Sequence, residues 1–276
     1  MESHTITGSE ETALHVDVAG PTDAPPVVLV HGYSQSRLCW RRQFASDHLG
    51  DVRLIAPDLR GHGDSAKPVG SDRYQDPTLW AADIGAVVDA FADEPPILVG
   101  WSYGGLVLSD YLAVAGTDDV AGLNLVGAIS EKGTDAAAGL AGEEWAALRD
   151  DLETRDAEWS VAALGAFVDL CVAGTLAPRD RYFMLGYNAA CPPRVREALQ
   201  ARTAAHEETL RGLDVPVLLT HGTADRVVLP ETAERHADLL PDANTSFYQG
   251  VGHSPFWEAP ERFDRELREF VSRCRP

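Results

Sequence analysis

Continuous apolar runs recur along the chain at intervals that leave room for a helix between them. Pro26-Val27-Val28-Leu29-Val30, Pro96-Ile97-Leu98-Val99, Leu123-Asn124-Leu125-Val126 and Val215-Pro216-Val217-Leu218-Leu219 are the clearest. Such runs fit parallel strands buried on both faces. Val52-Arg53-Leu54-Ile55-Ala56 and Thr245-Ser246-Phe247-Tyr248-Gln249 read as two more strands. Ala13-Leu14-His15-Val16-Asp17-Val18 instead alternates, which predicts a half-exposed antiparallel edge strand. Helical spacing follows at 41–49, with Trp40, Phe44 and Leu49 on one side, and at 259–274. It also appears at 77–91, where Pro77 suits a first turn and Leu79, Ile84, Val87, Val88 and Phe91 share a face. Strands alternating with helices predict right-handed crossovers and a doubly wound, mostly parallel α/β sheet.

Residues 131–213 break this alternation. The segment contains no convincing strand, and Trp145, Leu148 and Leu152, then Leu164, Val168 and Cys171, then Val195 and Leu199, fall at helical spacing. A helical insertion between two sheet strands predicts a cap over the carboxyl edge of the sheet, where open α/β sheets bind ligands. An oligomerisation arm is the alternative. The division expected is a core of 1–130 and 214–276 with a cap of 131–213.

Charge narrows the partners. The 276 residues carry 43 acidic and 23 basic side chains, a net charge of −20. A surface of that sign excludes the basic patches that nucleic acid and anionic membranes require. It also disfavours strongly anionic substrates unless a local cationic cluster captures them. Lys67 and Lys132 are the only lysines beside 21 arginines. An acidic, lysine-poor surface predicts adaptation to a salt-rich cytoplasm, because salt screens self-repulsion. The melting temperature should then climb steeply into molar KCl, and a flat response would refute the idea. Cys39, Cys171, Cys191 and Cys274 are too scattered for a metal site or a disulfide framework. No basic region followed by an apolar run opens the chain, and no run approaches membrane-spanning length. The expectation is a cytoplasmic protein, monomeric or homodimeric, with no cofactor and no metal.

The chemistry centres on Gly100-Trp101-Ser102-Tyr103-Gly104, which lies between an apolar strand and the helical run Leu106–Leu112. G-x-S-x-G in that setting is a nucleophile elbow: a sharp turn that holds a serine hydroxyl at the end of a strand. A serine needs a base, and the base needs a group that fixes its tautomer. His253, in the glycine-flanked loop Gly250-Val251-Gly252-His253 after the last strand, is the candidate base. Asp225, three residues past Gly222, is the candidate acid, with Asp135 as its rival. An acyl-transfer oxyanion would need two fixed N–H donors. Tyr103, directly after the serine, and Tyr33, after His31-Gly32, are placed to supply them. Trp101, Trp40 and Trp257 are candidates for an apolar substrate pocket, together with Tyr103 and Phe256, and charged substrate recognition is not evident.

His31-Gly32, the loop Asp58-Leu59-Arg60-Gly61-His62-Gly63-Asp64-Ser65, the elbow, Gly222-Thr223-Ala224-Asp225 and Gly252-His253 together resemble the α/β-hydrolase superfamily. Within it they look most like its esterases, cofactor-free haloperoxidases and lactonases, and the resemblance covers the chain outside the cap. It implies an eight-stranded, mostly parallel sheet with helices on both faces and an all-helical cap after the sixth strand. It also implies the triad Ser102, Asp225 and His253 and the Tyr33 and Tyr103 oxyanion donors. The 58–65 loop reads as structural. The activity expected is hydrolysis of small to medium carboxylic esters, with lactones or thioesters included, through an acyl-enzyme. An acyltransferase, a perhydrolase or haloperoxidase with the same triad, and a non-hydrolytic small-molecule sensor are the alternatives.

Overall fold

A computed structural model describes residues 1–275. Eight strands form one sheet: β1 (Glu2–Thr7), β2 (Ala13–Ala19), β3 (Pro26–Val30), β4 (Arg53–Pro57), β5 (Ile97–Trp101), β6 (Gly122–Val126), β7 (Val217–Gly222) and β8 (Asn244–Tyr248). Their spatial order is β1-β2-β4-β3-β5-β6-β7-β8. β1–β2 and β2–β4 pair antiparallel, and every other pairing is parallel. The fold is that of the α/β hydrolases.

The continuous apolar runs lie where their pattern requires. All five residues of β3, of β5 and of β6 are buried, since helices cover both faces of the sheet. Helices α1 (Pro77–Phe91) and α2 (Tyr103–Ala115) pack together on one face, and α8 (Pro260–Arg273) packs on the other through Phe263, Leu267 and Phe270. Fully burying an apolar side chain of this size contributes about 1.5–3 kcal/mol.

Two elements differ from the sequence reading. The alternating strand β2 is not the edge of the sheet, because β1 pairs outside it along six residues. Residues 41–49 do not form one helix. A 3-10 turn at Arg37–Trp40, one α-turn at Arg41–Phe44 and a second 3-10 turn at Asp47–Leu49 replace it. Ser36 and Ser46 side chains accept from Leu38 and His48 N–H, which favours separate capped turns over a continuous helix.

Between β6 and β7 lie α3 (Glu143–Leu152), α4 (Ala157–Leu170), α5 (Pro178–Ala189), α6 (Pro193–Gln200) and the short helix Glu207–Arg211. The segment is closed at its neck by a feature its periodicity did not predict. Glu131–Lys132 pairs antiparallel with Ala204–Ala205. After β7 comes α7 (Glu231–Leu239).

Candidate active site

The turn after β5 fixes Ser102 in a backbone conformation that few residues adopt, with φ 55° and ψ −119°. Such strain costs on the order of 1–3 kcal/mol and persists only where the surroundings over-determine it. Here they do. Ser102 N–H donates to Val126 O at 3.0 Å, and Ser102 O accepts from Gly105 N at 3.0 Å and Ile129 N at 3.1 Å. The flanking glycines are steric requirements. A Cβ on Gly104 would stand 2.4 Å from Val30 O, and one on Gly100 would stand 2.9 Å from Gly105 Cα. Both clashes are with backbone that cannot move aside. The turn places Ser102 at the N-cap of α2, one residue before its first turn and next to the positive end of that helix.

Asp225 and His253 come from the loops after β7 and β8. His253 Nδ1 lies 2.7 Å from Asp225 Oδ2. The other carboxylate oxygen accepts from the backbone N–H of Val227 at 2.8 Å and Val228 at 3.0 Å. His221, at the end of β7, places Nε2 3.2 Å from Asp225 Oδ2 and 2.9 Å from Val228 O. Burial alone would push the Asp225 carboxyl up. The charge of His253 and hydrogen bonds from His221 and His253 outweigh it and hold the pKa at about 2. Asp225 is thus a fixed anion that clamps the imidazole by its Nδ1 edge. Trp101 Nε1 donates to His253 O at 2.8 Å and pins the backbone of the same loop. The rival carboxylate, Asp135, is exposed to solvent. Among the described residues no hydrogen bond joins the Ser102 hydroxyl to His253. Such contacts often tighten only when substrate is present.

Gly32 backs directly against the nucleophile, since a Cβ there would lie 3.1 Å from Ser102 Cβ. Tyr33 follows it directly in the chain and lines the cavity beside Ser102. Neither the Tyr33 nor the Tyr103 amide donates to a backbone acceptor among the described turns and loops. The 58–65 loop is held by its own groups and by Arg37 and Asp83 from neighbouring elements. Asp58 accepts from Arg37 N and Asp64 N, the Asp58 carbonyl accepts from Ser65 Oγ, and Arg60 pairs with Asp83. Its histidine, His62, stacks edge-on against His31.

A cavity of about 130 Å³ opens beside Ser102. Tyr33, Tyr103 and Ile129 form its floor, and Trp145 of α3 and Gln200 of α6 reach it from the insertion. The insertion therefore lies over the carboxyl edge of the sheet. Trp145 sits edge-on to Tyr33, with ring centroids 5.5 Å apart, and packs on Phe167.

Trp40, Trp101 and Trp257 do not line this cavity. Trp40 is fully buried against Phe256 and Phe263, Trp101 packs on His253 and Phe256, and Trp257 stacks with Arg41 and Arg42. These aromatics support the site from beneath. The polar wall of the cavity, Ser130, Glu131, Lys132, Arg149, Arg235 and His236, was not singled out from the sequence. Its one visible signal was Lys132, one of two lysines, six residues past the core strand β6. His236 Nε2 lies 2.8 Å from Ser130 Oγ. All four cysteines are free, and among the described residues no group of His, Cys, Asp or Glu is placed to hold a metal ion. No described helix is long and apolar enough to cross a membrane.

Known proteins are similar to this chain over nearly its whole length. Residues 27–266 match the alpha/beta hydrolase family. An esterase from Rhodococcus sp. ECU1013 has a crystal structure that superposes with a TM-score of 0.90 at 41% identity, covering 99% of each chain. A putative aryl esterase from Burkholderia cenocepacia gives a TM-score of 0.91 at 31% identity, again over 99% of each chain. A non-heme chloroperoxidase of Streptomyces lividans is 30% identical over 275 residues, 97% of this chain and 99% of its own. The chain belongs to the alpha/beta hydrolase family and is an enzyme of that superfamily.

Proposed function

We propose that the protein is a serine hydrolase of small to medium carboxylic esters, working through an acyl-enzyme on Ser102. The observation that carries the reading is the strained, glycine-enclosed Ser102 at the mouth of a cavity, with a clamped His253–Asp225 pair in the adjoining loops. His253 takes the serine proton as Oγ attacks the ester carbonyl. The oxyanion is received by the N–H groups of Tyr33 and Tyr103. His253 then returns the proton to the departing alcohol, and water enters by the same route to release the acid. Asp225 stays ionised throughout and holds the imidazole in the tautomer that leaves Nε2 free to accept. Esterases at 41% and 31% identity over the whole chain support this chemistry.

The chloroperoxidase relative supports a second acceptor. Hydrogen peroxide in place of water would take the acyl group from Ser102 and leave as a peracid, with no change in the residues used.

The test is turnover of p-nitrophenyl esters of graded chain length, with a fluorophosphonate probe to label the nucleophile. Ser102→Ala should lower kcat at least ~10⁴-fold and abolish labelling, because removing a triad member leaves only the oxyanion donors and binding. Labelling that persists in Ser102→Ala would refute the assignment of the nucleophile.

A further inference from the structure

The cavity beside Ser102 has a charge balance opposite to that of the whole chain. Lys132 lines it from the neck ladder, and its Nζ donates to Gln200 Oε1 at 3.0 Å. Among the described residues Lys132 has no carboxylate within salt-bridge distance, and neither has Arg149, which reaches the same cavity from α3. The third cation, Arg235, is already spent: it pairs with Glu131 at 3.3 Å and Glu207 at 3.2 Å and donates to Ala136 O. That pairing also accounts for Glu131, the carboxylate on the cavity wall. The Tyr33 hydroxyl is buried against the same Gln200 side chain.

A half-buried ammonium with one neutral amide as partner is costly to keep charged. Burial first, and the nearby Arg149 charge, pull the Lys132 pKa down to about 8, against the attraction of Glu153. A lysine needed only to tie the neck to α6 could be replaced by any neutral donor at lower cost. In a chain of net charge −20 with two lysines, two cations without a carboxylate partner converge on one small cavity. Their common complement is an anion with oxygen acceptors.

We propose that the cavity selects esters bearing a second, free carboxylate, which Lys132 and Arg149 hold while the ester carbonyl meets Ser102. The proposal rests on the esterase reading above and specifies its substrate class. It also resolves the apparent conflict with the acidic surface. The surface repels anions in general, and this local pair of cations admits one of the right length.

The experiment compares charged and capped esters in steady-state kinetics at pH 7. One pair carries the carboxylate on the acyl side, mono-p-nitrophenyl glutarate and its methyl ester. The other carries it on the leaving group, the butyrate ester of 4-hydroxybenzoate and its methyl ester. The wild-type enzyme should favour the charged member of at least one pair about tenfold or more in kcat/KM. Lys132→Met should bring that charged-to-capped ratio to about one, and Arg149→Gln, at an exposed helical position, should lower it about threefold or more. If Lys132→Met does not fold, the Arg149→Gln ratio decides alone. Turnover with no preference for either charged ester overturns the proposal and leaves the esterase reading standing, as does an unchanged ratio in the variants. No turnover of any of the four esters overturns both.

Discussion

Asp225 and Lys132 are two charges at one site, and the protein treats them in opposite ways. Asp225 receives two backbone N–H groups and an imidazole and has a second histidine at 3.2 Å, all supplied by the sheet and its loops. Lys132 receives one amide oxygen from the insertion. The floor of the cavity is complete without a ligand, whereas its roof leaves valences open. A matched charge has one geometry and is suited to repeating the same bond chemistry. An unmatched charge waits for something to bring its partner, and so it discriminates. On the proposed roles, the difference teaches that reaction type and substrate choice would reside in separate parts of this fold, with separate physical rules.

Substitutions on the floor should therefore act on every substrate, and substitutions on the roof on some. The largest effect is expected from Asp225→Asn, which keeps the shape but removes the anion that fixes the His253 tautomer. It should lower kcat about 10⁴-fold on charged and neutral esters alike. A loss confined to one substrate class would break the comparison.

Acid titration probes the buried histidines around the site next. Burial pulls the pKa of His31 down to about 4, that of His62 to about 3 and that of His236 to about 4. Between roughly pH 6.5 and 4 the unfolded chain takes up protons at these histidines that the folded chain refuses. Stability should fall as pH falls through that window, with a slope of about 1.4 kcal/mol per pH unit for each histidine. Urea unfolding midpoints from pH 7 to pH 4 measure it, and His236→Gln should remove one histidine's share of the slope. A flat midpoint over the window would show that these rings are not held neutral.

The smallest effect belongs to the roof. Trp145→Ala enlarges the cavity away from Ser102 and should move the preferred p-nitrophenyl ester to longer acyl chains. Its kcat/KM for a long chain relative to butyrate should rise about tenfold, in line with the 1–3 kcal/mol carried by a few methylenes in an apolar pocket. An unchanged chain-length profile would mean that Trp145 only packs against Tyr33 and Phe167.

The same division explains what could be read from the sequence. The elbow was legible because its requirements are local: a glycine two residues either side of Ser102, an apolar strand before it and a helix after it. The order Ser102, Asp225, His253 was legible because each follows its own strand, and the sheet fixes where strands end. The aromatic candidates misled because Trp40, Trp101 and Trp257 lie close to the elbow in sequence or in loop position, yet pack behind the reacting atoms. Nearness along the chain does not say which side of a sheet a ring faces. The helices of the insertion were legible as helices, since their spacing records a buried face. Which residue stands opposite Ser102 was not, because periodicity names a face without naming its partner. The single helix expected over 41–49 failed for a related reason: an apolar face at helical spacing also fits short separate turns that share the same buried neighbours.

The two-residue ladder at the neck has a consequence for how this protein can change. Pairing Glu131 with Ala205 brings the entry and exit of the inserted segment to within one strand spacing, about 5 Å. To the sheet, more than seventy residues then behave as a hairpin loop. The entropy of closing a loop grows only slowly with its length, so the segment above the ladder can change length at little entropic cost, provided a replacement keeps the contacts that dock it on the core, such as Arg202 with Asp110 and Leu140 with Leu229. The ladder is in this sense a socket, and a graft spanning residues 133–203 is the natural unit for giving the same nucleophile a different clientele.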